Sequence, residues 1–190
     1  MRGDGDGWVV SELGYHWGVH GAAGLLLRAP LDERTPAVLL QHRAPWSHQG
    51  GTWGLPGGAL DSGEQPHDAA LREAAEEAGL RSEHISVVTA VVTAQAPGPG
   101  GEICWTYTTV VADAVTLLET VPNGESAELR WVPEHEVARL PLHPGFASSW
   151  ARLRASAPAP AHDCVSAAHT VLLEQETFAW CGGSAGSRSG

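Results

Sequence analysis

The stretch whose reading decides the fold is GLPGGALDSGEQPHDAALREAAEEAGL, Gly54 to Leu80. Pro66 suits the first turn of a helix and Gly79 the left-handed position that ends one, so a helix is predicted from about Pro66 to Ala78. At about 100° per residue, Glu73, Glu76 and Glu77 share an arc of about 100° on one face. Leu71, Ala74, Ala75 and Ala78 collect on the opposite side, which is small and apolar enough to pack closely on a sheet. Three like charges on one face cost stability. A hard divalent cation among them removes that cost, because Mg²⁺ takes carboxylate oxygens and keeps its remaining positions for water and phosphate.

On the N-terminal side, Gly21–Arg28 (GAAGLLLR) and Ala37–Arg43 (AVLLQHR) are apolar runs of strand length. APLDERTP between them is a turn rich in proline and charge. The loop Ala44–Thr52 leads to Trp53–Leu55 and the Pro56-Gly57-Gly58 turn. On the C-terminal side, Ile85–Gln95 and Ile103–Asp113 are β-rich runs joined by a hairpin-like APGPGGE loop. Glu128–Val132 is a further short strand, Pro133–Leu140 a short helix, and Gly145–Arg154 a longer helix carrying Phe146, Trp150 and Leu153. Strand–helix–strand–helix order implies a mixed sheet flanked by helices, an α/β fold. Residues 1–16 are polar and Gly-rich and are expected to be loose. ASAPAPA at Ala155–Ala161 looks like a stiff linker. Cys164–Trp180 has apolar residues enough to dock on something, and the closing GGSAGSRSG is expected to be disordered. Its serine does not stand in a G-x-S-x-G turn, so no catalytic serine is expected there.

The 190 residues suggest one domain with an appendage, long enough to bury a real core. The net charge of −11 argues against a nucleic-acid or anionic-membrane surface. No apolar run is long enough to span a bilayer, and the start, MRGDGDGWVV, does not read as a signal peptide. Cys104, Cys164 and Cys181 are isolated, giving neither a disulfide framework nor a zinc site. A reducing cytoplasm fits them.

The spacing Gly58, Glu64, Arg72, Glu73, Glu76, Glu77, Gly79, with Ala74 and Leu80 in the apolar slots, is G-x5-E-x7-R-E-U-x-E-E-x-G-U, where U is apolar. At background frequencies it arises by accident in roughly one chain per million. It is the Nudix box, and the chain resembles a Nudix hydrolase from about Trp17 to Ala155. The resemblance implies an α/β/α sandwich around a mixed sheet. It implies a hydrolase that uses Mg²⁺, with Mn²⁺ able to substitute, to cleave a phosphoanhydride in a nucleoside diphosphate linked to another moiety. By the same resemblance Glu73, Glu76 and Glu77 are metal ligands and the Gly57 carbonyl is a candidate fourth. Arg72 orients carboxylates, Glu64 pairs with Arg72 or supports the loop, and Gly58 is backbone geometry.

A general base is also needed. The family uses either a helix glutamate, here Glu73, or an acid on a later loop, here Glu125 or Glu128 in VPNGESAE; Glu125 is preferred for its looser Gly-rich surroundings, and Glu102 is a weaker candidate. His42, Arg43, Trp46 and His48 precede the box as candidate cleft residues, and Trp53, Trp105 and Tyr107 are candidates to stack on a base. His16 and His20 lack the context of a zinc motif. The segment LLQHRAPWSHQGGTWGLPGG departs from the coenzyme A pyrophosphatase pattern, and no SQPWPFPxS-like stretch follows the box, so NADH specificity is not expected. Pro97 gives a faint hint of an ADP-ribose pyrophosphatase, and a nucleoside-triphosphate-cleaving type stands beside it. The partner implied is a small nucleotide, with a homodimer possible. The alternative is a non-catalytic Nudix-fold binding or regulatory module, which would be expected to lose box carboxylates; this chain keeps them all.

Overall fold

The computed structural model describes residues 3–156. The linker and tail expected from residue 156 onward lie outside the described residues, apart from Ser156 itself. The strands are β1 (Trp8–Ser11), β2 (Gly14–Trp17), β3 (Ala22–Pro30), β4 (Pro36–Arg43), β5 (Trp53–Gly54), β6 (Gly57–Ala59), β7 (Ser86–Pro97), β8 (Ile103–Asp113) and β9 (Ser126–Pro133). The helices are α1 (Pro66–Ala78) and α2 (Pro144–Ser156).

The main sheet runs β5-β4-β3-β8-β7, with β6 added to β3 and β9 to β4. β3 and β8 are parallel and the other pairs antiparallel, so the sheet is mixed. Alternation along the strands divides the core in two. Leu25, Leu27, Leu39, Val110 and Ala112 meet Ala69, Ala70, Ala74 and Ala78 of α1. Leu26, Val38, Leu40 and Val111 meet Phe146, Trp150 and Leu153 of α2. This is the α/β/α sandwich, and it explains why β3 is a continuous apolar run: both of its faces are covered. Arg28 and Asp113, register partners at the ends of β3 and β8, close the sheet with a paired fork at 2.8 and 3.0 Å.

α1 begins and ends where its proline and glycine predict. Gly79 has φ 67°, and its amide and that of Leu80 bond the Ala75 and Ala74 carbonyls, which closes the last turn. The buried stripe is rotated from the expected one. Ala75 is exposed, while Glu77 lies with Ala70, Ala74 and Ala78 on the packed side. The short helix expected at Pro133–Leu140 is reduced to a 3-10 turn at Val137–Arg139, because Pro133 still belongs to β9.

The N-terminus corrects the expectation of a loose segment. β1 and β2 form a hairpin in the register Trp8↔Trp17 and Val10↔Tyr15. An isolated hairpin is marginal in water. This one is tied down by Gly18 and Val19 amides bonded to the Gly7 and Gly5 carbonyls, and by Trp105 Nε1–H donating to the Trp17 carbonyl. No helix among the described residues is long and apolar enough to cross a membrane.

Candidate active site

The glycine turn is shaped by what lies under it. β6 pairs Gly58 with Ala23 and Gly57 with Gly24. A methyl group on Gly57 would overlap the Ala23 carbonyl and the Gly24 Cα, so only glycine lets these backbones meet. A methyl group on Gly58 would fall 2.6 Å from the Glu73 carboxyl carbon. The turn therefore presses main chain directly against the carboxylates of α1, and the Gly57 amide donates to Glu77 Oε2 at 2.8 Å.

Arg72 organises the other edge. Its Nε and Nη2 bond both oxygens of Glu64 at 2.9 Å, Nη2 also reaches the Ala59 carbonyl at 2.9 Å, and Nη1 bonds Glu73 Oε1 at 2.6 Å. Glu64 in turn accepts the Asp61 amide at 2.9 Å. The Glu64–Arg72 pairing is therefore present, with Arg72 placed between Glu64 and Glu73. The Arg72 hydrogen bonds hold Glu64 below the usual carboxylate range and those of Glu64 and Glu73 keep Arg72 charged. Glu73 is pushed up, first by burial and despite Arg72. Burial raises Glu77 to about 7, against the hydrogen bonds of Gly57 and Gln41 and with help from the charges of Glu73 and Glu125. Glu73 and Glu77 thus sit in an environment that disfavours their own charge.

Glu73, Glu76, Glu77 and Glu125 line one acidic cleft of about 580 Å³ with Asp6 and Asp61. A second cavity of about 230 Å³ adjoins it, walled by Trp8, Trp17, Trp105, Tyr107 and His143. Arg43, His48, Gly57 and Gly58 border both, so Arg43 stands at the neck between an acidic floor and an aromatic chamber. His16 stacks on Trp105 with ring centres 4.5 Å apart, and Trp8 meets Trp17 edge to face at 5.2 Å. His143 is lowered to about 4 by burial and then by Arg43 and His48, so its imidazole is neutral at physiological pH. The Gly145 amide donates to its Nδ1 at 3.2 Å, which leaves the ring proton on Nε2.

The fold brings Glu73, Glu76, Glu77, Glu125, Gly57, Arg72, Arg43 and Trp105 to these two spaces. It does not bring Trp53. That ring is 5 % exposed in the core, stacked on His42 at 4.7 Å with the Arg130 guanidinium 4.7 Å from its centre. Trp53 therefore cannot stack on a base; a single sequence does not separate a wall aromatic from a core one. Glu128 is bonded through both oxygens to Arg130 and lies outside the cleft. Glu102 belongs to the exposed β7–β8 turn. Among the described residues no group of three or more His, Cys, Asp or Glu side chains is placed to hold a metal ion between them. Sequence reasoning missed Asp6, His143 and the hairpin's Trp8 and Trp17. The hairpin's signal was present in WVVSELGYHW, where apolar and aromatic residues alternate on both sides of a short turn.

The chain matches the NUDIX domain model over residues 19–153. It is 62% identical over 187 residues to the Mycobacterium tuberculosis protein "Putative 8-oxo-dGTP diphosphatase 3", covering 95% of this chain and 86% of that one. It is 41% identical over 157 residues to a Bifidobacterium longum "Nucleoside triphosphate pyrophosphatase/Nudix hydrolase fusion protein", covering 80% of this chain and 31% of the relative. Among solved structures, the Nudix hydrolase RenU from M. smegmatis superposes with a TM-score of 0.78 at 64% identity, over 83% of this chain and 99% of that one. The domain match spans β3 to the last turns of α2, the same residues that build the sandwich and its glycine turn, and the chain belongs to the Nudix hydrolase family.

Proposed function

We propose that this protein is a divalent-metal-dependent pyrophosphohydrolase that cleaves a phosphoanhydride bond in a purine nucleoside triphosphate. The observation that carries this reading is the continuity of the two spaces across Arg43: an aromatic chamber sized for a base opens onto a carboxylate floor suited to cation and phosphates. The name of the M. tuberculosis relative makes an oxidised guanine deoxynucleotide the first candidate. The hairpin part of the chamber wall lies before the residues matched by the domain model, while Trp105, Tyr107 and His143 lie within them.

The donor set fits a hard divalent cation, Mg²⁺ with Mn²⁺ able to substitute. Glu73, Glu76 and Glu77 share a cleft, and Mg²⁺ needs only one or two carboxylates beside water and phosphate, so a converged group of three is not required. Burial raises both Glu73 and Glu77, and a cation held beside them would favour their charged forms. Glu73, Glu76, Glu77 and the Gly57 carbonyl are the residues that would hold the cation. When bound, it supplies charge neutralisation on the phosphate oxygens and a lower pKa for a coordinated water.

The chain's own side chains do the rest. Trp105 and the hairpin tryptophans hold the base by stacking. Arg43 binds phosphate at the neck. Arg72 keeps Glu73 oriented, and Glu125 accepts the proton of the attacking water. Glu73 is the remaining candidate for that last role.

A panel of 8-oxo-dGTP, dGTP, ATP, ADP-ribose and NADH, with Mg²⁺, Mn²⁺ or EDTA, tests the reading. Release of pyrophosphate or phosphate from a purine triphosphate, abolished by EDTA, is expected. Full activity in chelator would overturn metal dependence. A marked preference for ADP-ribose would overturn the substrate class, and binding without hydrolysis of any compound would favour a non-catalytic module.

A further inference from the structure

The Glu125 carboxylate makes no hydrogen bond or ion pair among the described residues, so its place at the acidic cleft is set by the backbone that carries it. That backbone is held on both sides of the residue. The Glu125 amide donates to Asn123 Oδ1 at 2.9 Å, and the Glu125 carbonyl accepts the Ala44 amide at 3.0 Å. Ala44 directly follows Arg43, the last residue of β4, at the neck of the site.

Asn123 is itself fastened to α1. Its amide donates to the Glu77 carbonyl at 3.2 Å, and the Val121 amide donates to the Ala78 carbonyl at 2.9 Å. These are carbonyls that the end of a helix leaves without partners inside it. The Asn123 carbonyl accepts the Ser126 amide at 3.3 Å, which closes a turn over Asn123–Ser126 with asparagine in first place. Asparagine suits that place because its side-chain oxygen reaches the amide two residues on. Gly124 does not dictate the turn: its backbone is outside the left-handed region, and a methyl group added to it would meet nothing.

We propose that Asn123 is a positioning residue: its side chain links the end of α1 to Glu125 and so fixes the proposed base relative to Glu73, Glu76 and Glu77. It touches neither substrate nor reacting atoms. The proposal rests on the reading of Glu125 as general base given above. Displacing a catalytic group by about 1 Å costs up to about 100-fold in rate.

Every bond named here except the one to Asn123 Oδ1 joins main chain to main chain, so Asn123→Ala removes that one alone. The test uses the full chain with Asn123→Ala, Asn123→Ser, Glu125→Gln and the double variant Asn123→Ala with Glu125→Gln. On the best substrate of the nucleotide panel kcat and KM are measured, and Mn²⁺ affinity is measured without substrate by electron paramagnetic resonance of the free ion. Asn123→Ala is expected to lower kcat by at least about 10-fold, with KM and Mn²⁺ affinity nearly unchanged, because the α1 carboxylates keep their places. Asn123→Ser, which restores a neutral acceptor at the same turn position, is expected to recover part of kcat. In the Glu125→Gln background, Asn123→Ala is expected to change kcat no further, because it acts only through the side chain already lost. Wild-type kcat in Asn123→Ala would overturn the positioning role. So would an equal loss in the Glu125→Gln background, or a parallel fall in Mn²⁺ affinity, which would place the effect on α1. Wild-type turnover in Glu125→Gln would instead overturn the reading of Glu125 as base, and this proposal with it.

Discussion

Glu77→Gln should make the metal-free protein more stable and the enzyme nearly inactive. Glu77 is 4 % exposed, and its pKa stands at about 7 in place of the ordinary 4.5. Burial is the main cause, and the charges of Glu73 and Glu125 add to it. Between pH 4.5 and 7 the folded chain holds a proton that the unfolded chain has released, so stability falls as pH rises through this window. Above it the loss is complete. At about 1.4 kcal/mol per unit of pKa, the interval from 4.5 to about 7 amounts to about 3 kcal/mol. Glutamine removes the charge and keeps a carbonyl oxygen for the Gly57 amide, now bonded at 2.8 Å. A gain of about 1–3 kcal/mol at pH 8 is expected, or a rise of about 2–4 °C in Tm for each kcal/mol.

The assay is thermal and urea unfolding of both proteins in EDTA at pH 8 and pH 4.5. The gain should be present at pH 8 and mostly gone at pH 4.5. Saturating Mg²⁺ should narrow the gap at pH 8, because a cation that binds only the folded state stabilises the wild type. Turnover of the variant should fall by at least about 10²-fold, as on losing a strong electrostatic stabiliser. A variant less stable than wild type at pH 8 in EDTA would refute the reasoning, as would a gain equal at the two pH values.

Glu125→Gln should remove most of kcat and leave Mn²⁺ affinity nearly intact, whereas Glu128→Gln, which loses only its pairing with Arg130, should keep wild-type turnover; the reverse pattern would move the base to Glu128. Arg72→Lys should lower both kcat and stability, the latter by about 1–3 kcal/mol, because one ammonium cannot replace a fork that serves Glu64, Glu73 and the Ala59 carbonyl; wild-type unfolding curves would count against it. The His143 ring should titrate near 4 by NMR. Its depressed value contributes stability that is full above pH 6.5 and lost as pH falls toward 4; a titration near 6.5 would contradict its placement in the chamber.

The helix was legible because its two ends are marked by local chemistry, Pro66 and Gly79, that no tertiary contact overrides. β3 was legible because burial on both faces leaves an unbroken apolar run. The arc of three glutamates was legible only as an isolated helix. Packing under β6 moved Glu77 to the buried side and left Glu76 exposed, a distinction that depends on where the glycine turn presses. The separation of Glu125 from Glu128 depends on an irregularity between β4 and β9, which has no periodic trace in the sequence. The hairpin was masked by its glycine-rich surroundings, although its alternation was there to be counted.

The charges impose an order on binding. A chain of net charge −11 with a carboxylate floor repels a polyphosphate. Arg72 lines the cleft, yet its donors are committed to Glu64, Glu73 and the Ala59 carbonyl. Arg43 makes no ion pair among the described residues and borders both spaces, but one guanidinium does not balance the floor. Under the proposed function, cation and nucleotide therefore each remove a repulsion that opposes the other. Coupling of this kind is reciprocal: the nucleotide should tighten Mn²⁺ by the same factor by which Mn²⁺ tightens the nucleotide. Arg43→Ala should weaken the nucleotide in the absence of cation as well as in its presence, because the guanidinium acts at the neck and the cation at the floor.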